Sequence, residues 1–153
     1  DASAAEEHLR SIREVFATSA EAAKALLMLG NLYLELRRFS EADRCFQDVL
    51  GVREWRGPLW PEALYGRGEC ARLQRQFLHA TAFYERIYVL YGNYREWCAR
   101  AYLQRAKCLL HLREDAKARE TLEEMLAAPE LAALPESTEA RELLAPISRR
   151  GTP

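Results

Sequence analysis

Three segments of the chain superimpose at a constant offset. Ala25-Leu26-Leu27-Met28-Leu29-Gly30, Ala63-Leu64-Tyr65-Gly66-Arg67-Gly68 and Ala101-Tyr102-Leu103-Gln104-Arg105-Ala106 each close on a small residue, and these residues are 38 positions apart. Twelve positions further on come Ala42, Ala80 and Ala118, followed in the same register by Phe46, Tyr84 and Leu122, then Val49, Ile87 and Met125. Small residues let two helix backbones approach closely, while large apolar residues at i and i+3 share one helix face. A unit of this length is a helical hairpin that cannot bury its apolar face alone, so its neighbours must stack on it.

Composition agrees with a helical stack. The chain has 153 residues, within reach of a single domain over 1–153. Seven glycines and six prolines are too few for an all-β chain that must turn every few residues. A net charge of −1 argues against nucleic acid as a partner, because phosphate binding leaves a basic footprint. No apolar run approaches the roughly 18–20 residues of a membrane span. The start at Asp1 instead of Met is that of an excised or processed piece. Thr18-x-x-Glu21, Ser40-x-x-Asp43 and Asn93-x-x-Glu96 read as helix N-caps, and Gly57-Pro58 as a stop. These signals predict a half repeat over 2–17, repeats over 19–57, 58–93 and 94–128, a loop at Pro129–Pro135 and a capping helix over 136–147.

With those residues in place, the chain resembles the tetratricopeptide-repeat family. Leu26, Leu29, Gly30 and Tyr33 match the family's first helix, and Ala42 and Phe46 its second. The later repeats depart from the pattern: Arg67 and Arg105 stand where the family has leucine, and Ala71 and Leu109 where it has tyrosine. The family's period is about 34 residues, so four extra residues add about one helical turn. The resemblance implies an all-α fold, a right-handed superhelix of stacked antiparallel helix pairs with about three and a half repeats. It further implies a non-enzymatic scaffold that binds a peptide or helix of a protein partner in a concave groove. The alternative is a structural spacer or self-association segment of a larger repeat protein.

By position in the family, the first helix of each repeat lines the groove. The resemblance therefore places Leu27, Asn31 and Leu34, then Tyr65, Glu69 and Arg72, then Leu103, Lys107 and Leu110 on the partner-binding face, with Met28, Gly66 and Gln104 beside them. Chaperone-binding members grip a terminal carboxylate with Lys, Asn and Arg side chains. Only Asn31 and Arg100 fit that set here, since Leu27, Gly66 and Gln104 replace the others.

Signs of catalysis are missing from the sequence. His8, His79 and His111 are scattered, and neither His-Glu-x-x-His nor Cys-x-x-Cys occurs. There is no nucleophile elbow, phosphate loop or dinucleotide fingerprint. The expectation is no cofactor, no metal and no enzyme. Cys70 and Cys108 occupy equivalent places in successive repeats, where helices stand ~8–10 Å apart. A disulfide needs Cα atoms within about 7 Å. Four free, buried thiols are expected, with a Cys45–Cys70 pair left open. Segments such as Tyr84–Gly92 resemble bacterial envelope repeat proteins, whereas free thiols suit a reducing compartment; the compartment stays open.

Overall fold

The computed structural model describes residues 3, 4, 7, 8, 11 and 19–150. All but five positions of the expected half repeat over 2–17, and the expected cap Thr18, lie outside the described residues. Among the described residues there are eight α-helices and no strand. They are α1 (Ala20–Glu35), α2 (Phe39–Gly51), α3 (Leu59–Leu73), α4 (Phe77–Leu90), α5 (Arg95–His111), α6 (Asp115–Ala127), α7 (Pro129–Ala132) and α8 (Glu136–Arg150), with a single 3-10 turn at Arg53–Trp55. Two compact units divide the chain, residues 1–74 and 75–153.

The 38-residue period is written into the backbone as well as the side chains. Arg37, Arg75 and Arg113 all have positive φ, at 58°, 62° and 62°. At the first of these, Arg38 N–H donates to the Tyr33 carbonyl at 2.8 Å and Arg37 N–H to Leu34 at 3.0 Å. At the third, Glu114 donates to Leu109 at 2.9 Å and Arg113 to Leu110 at 3.1 Å. This pair of bonds is the Schellman motif, which satisfies the last carbonyls of a helix. The next residue in each turn begins the following helix, with Ala42 N–H donating to the Arg38 carbonyl and Ala118 to Glu114.

The helix starts differ from the expected caps. Ser19 caps α1, its hydroxyl accepting from Ala22 N–H at 3.2 Å. Neither Ser40 nor Asn93 is an N-cap; Arg38 and Tyr94 hold those places and make no side-chain cap bond. The Schellman turn already fixes where α2 begins, so no side-chain cap is required there. Part of the expected loop at Pro129–Pro135 is the short helix α7, where Pro129 stands in the first turn. Proline's fixed φ suits that place and its missing N–H costs nothing there.

In the first unit, α2 packs against both α1 and α3, and α1 also touches α3. Phe46, fully buried on α2, sits where these helices meet. A Cβ on Gly30 of α1 would lie 2.7 Å from its ring, and one on Gly66 of α3 only 2.4 Å away. Two glycines on two helices thus make room for one aromatic ring. In the second unit α4 pairs with α5 and α5 with α6, and α8 packs on both α6 and α5. Ser137 and Ala140 of α8 are buried, 38 positions after the buried Ala99 and Tyr102 of α5. The last long helix therefore occupies the place of a first helix at the next step of the repeat.

Candidate partner-binding face

Packing on two sides decides which residues of the expected face remain at the surface. In the first unit, Asn31 is exposed and Leu34 half-buried on α1, while Tyr65, Glu69 and Arg72 are half-buried along α3. Leu27 is 3% exposed and belongs to the core cluster with Phe46 and Val49. Met28, 61% exposed, is the large apolar side chain that α1 offers to solvent on this strip. Met28, Asn31 and Glu35 follow one another at i, i+3 and i+7, all exposed, as neighbours on one helix face must. On α3, Arg72 grips Glu69 through two bonds, Nη2–Oε2 at 2.6 Å and Nε–Oε1 at 3.0 Å. Gly66 is buried against the Phe46 ring and offers no groove surface.

In the second unit α8 supplies partners to the same face of α5. Lys107 Nζ stands 2.7 Å from Glu139, and Arg100 Nε 3.4 Å from Glu136. Leu103 is 4% exposed, so it too is core. A helix with neighbours on two sides buries a wider stripe than one lying on a single layer. The expected apolar row Leu27, Tyr65, Leu103 therefore leaves Tyr65 as its accessible member. Lys107 and Leu110 stay half-buried at the rim of a cavity of about 560 Å³, whose lining also includes Arg75, His111, Arg113 and Leu143. Arg75, Arg113 and Leu143 had not been anticipated. The signal for the two arginines was the recurrence of arginine at positions 37, 75 and 113, one period apart; nothing in the sequence pointed to Leu143.

The two arginines that break the family pattern are structural ties. Arg67 of α3 reaches Asp43 of α2, Nε–Oδ1 at 2.7 Å. Arg105 of α5 donates to Thr121 Oγ1 on α6 at 2.6 Å and to Glu85 on α4 at 3.1 Å. Beside it, Tyr102 donates its hydroxyl to Glu124 at 2.9 Å and stacks on Tyr88 with centroids 3.7 Å apart. These contacts hold helices together; they do not present reactive groups. Cys45, Cys70, Cys98 and Cys108 are free and buried. Burial, reinforced by the Asp43 carboxylate, pushes the Cys70 thiol up to about 12, and burial alone takes Cys98 to about 11. Both are neutral thiols near neutral pH and poor nucleophiles.

Among the described residues, no group of three or more His, Cys, Asp or Glu is placed to hold a metal ion. No described helix is long and apolar enough to cross a membrane. Residues 27–95 match the family model described as tetratricopeptide repeat. No curated protein matches the chain.

Proposed function

We propose, from the tetratricopeptide-repeat match over residues 27–95, that the chain is a non-enzymatic scaffold binding a peptide or helix of a protein partner along the inner face of its first helices. Repeats of this family mediate protein–protein interaction, and the family is typically non-catalytic. The observation that carries the reading is the surface left on α1 and α3. Met28, Asn31 and Leu34 on one helix, and Tyr65, Glu69 and Arg72 on the other, mix apolar and hydrogen-bonding side chains as recognition surfaces do. Tyr65 is the aromatic member, and central aromatics are the usual hot spots of an interface.

The test is capture of a partner by the whole chain, its identification, and titration against variants. Tyr65→Ser is expected to weaken binding by roughly thirtyfold, about 2 kcal/mol, with an unchanged melting temperature. Equal binding by the variant, or its unfolding, overturns the reading.

A second reading, spacer or self-association, has its own support in the burial of Leu27 and Leu103. It is also favoured by exposed apolar residues on α4, Leu78 at 70% and Val89 at 66%. Sedimentation of the parent and of Leu78→Glu/Val89→Glu over a range of concentrations decides it. Concentration-dependent association lost in the double variant supports self-association, and a monomer throughout removes it and leaves the spacer.

A further inference from the structure

We propose that the cavity at the C-terminal end of α5 receives a carboxylate of an acidic peptide, with a neighbouring aliphatic side chain seated on Leu110 and Leu143. The proposal names the partner's chemistry and rests on the reading that α5 turns its Lys107–Leu110 face to a partner. Among the described residues that line it, Arg75, Lys107, His111 and Arg113 are basic, Leu110 and Leu143 are apolar, and none is a carboxylate. Lys107 is engaged by Glu139 at 2.7 Å. Arg75 and Arg113 have no ion-pair partner among the described residues. Arginine's planar fork matches a carboxylate through two parallel charge-assisted bonds.

The side chains are arranged before any ligand arrives. Phe77 organises one wall: the His111 ring stacks on it at 4.4 Å and 6°, and the Arg75 guanidinium lies 6.0 Å from its centroid. Less conformational freedom then remains to be lost on binding.

The backbone places two of the cations. Arg75 and Arg113 both sit at φ 62°, in the turn position that glycine or asparagine usually fills. A residue with a Cβ is strained there. A cation near a helix C-terminus is favoured by the helix dipole. Arg37 holds the same turn position in the first unit at φ 58° without lining this cavity, so the turn sets where each guanidinium leaves the backbone, and the cavity's own lining carries the proposal.

The carboxylate can come from an Asp or Glu side chain or from a peptide's C-terminus, and one experiment separates the sources. A random-peptide display library is selected on the whole chain. Enriched peptides are expected to carry an acidic group beside an aliphatic residue. Representatives are then synthesised as amides, as free acids and as a neutral version that is amidated and has Asn or Gln for every Asp or Glu, and titrated by fluorescence anisotropy. The neutral version is expected to bind about tenfold more weakly or worse, and Arg75→Gln/Arg113→Gln to lose as much with its melting temperature unchanged. Binding retained by the amide assigns a side-chain carboxylate, and binding only by the free acid assigns a terminal one. Selection without acidic enrichment, equal binding of the neutral version, or full binding by the double variant overturns the proposal. Peptides indifferent to Arg75 and Arg113 but lost with Tyr65→Ser overturn the acidic pocket while leaving the inner-face reading intact.

Discussion

Gly66→Ala adds one methyl group to α3, and the structure sets the sign of its effect against helix propensity. The new Cβ would lie 2.4 Å from Phe46 Cζ and 2.6 Å from both Cε atoms. Carbon atoms in good contact stand about 3.5–4.0 Å apart, so the ring or the helix must move by an ångström or more. Phe46 has little room to yield. It is fully buried, and its Cε1 and Cζ already press on Gly30, where a Cβ would stand 2.7 Å away. Alanine gains about 1 kcal/mol over glycine inside a helix. Overpacking a tight core costs about 1–3 kcal/mol, and a contact this short, with a second glycine behind it, belongs at or beyond the upper end. The net expectation is a loss of about 1–2 kcal/mol, or roughly 2–8 °C in Tm for a chain of this size. Gly51→Ala is the matched control. It makes the same chemical change at the end of α2, where a Cβ meets nothing within 4 Å, and should stabilise by up to about 1 kcal/mol. Urea denaturation followed by circular dichroism reads both, and Phe46→Leu in the Gly66→Ala background should recover part of the loss. Gly66→Ala as stable as Gly51→Ala would refute the packing of Phe46 between the two glycines.

Arg37→Gly should raise stability by up to about 1 kcal/mol in the same assay, because it removes a Cβ from a left-handed turn; a loss would show that the Arg37 side chain does more than tolerate its place. Denatured without reductant, the protein should yield four thiols with a colorimetric reagent, matching Cys45, Cys70, Cys98 and Cys108, while the native protein reacts slowly; a count of two would restore the Cys45–Cys70 bridge. The raised thiol of Cys70, from 9.0 to about 12, favours the folded state while neutral. That stability is fully present below pH 9 and is lost as pH rises towards 12, so Cys70→Ala should flatten the alkaline limb of a stability–pH curve.

The helical hairpin was legible in the residues alone. Its signal is a three-dimensional requirement repeated in one dimension: Ala42, Ala80 and Ala118, all fully buried, stand where small side chains were expected. The six α-helices from Ala20 to Ala127 and the last long helix follow from the same spacing, since apolar periodicity reports which side of each helix is covered. The caps were less legible. Ser40 and Asn93 have the right chemistry for an N-cap, but a Schellman turn closes α1 and starts α2 through backbone bonds that no side chain announces.

The candidate face divides in the same way. Sequence determined the spacing that puts Met28, Asn31 and Glu35 on one strip of α1, and Tyr65, Glu69 and Arg72 on one strip of α3, because helical geometry alone requires it. It could not determine which members of those strips reach solvent. Leu27 and Leu103 are as apolar as Leu34 and Leu110, and only the number of neighbouring helices separates the buried pair from the accessible one. The ion pairs from α8 to Lys107 and Arg100, and the gathering of Arg75, His111 and Arg113 around one cavity, join residues far apart in the chain. Such neighbours exist only once the helices are stacked, since side-chain direction is a local property but solvent exposure depends on everything packed around it.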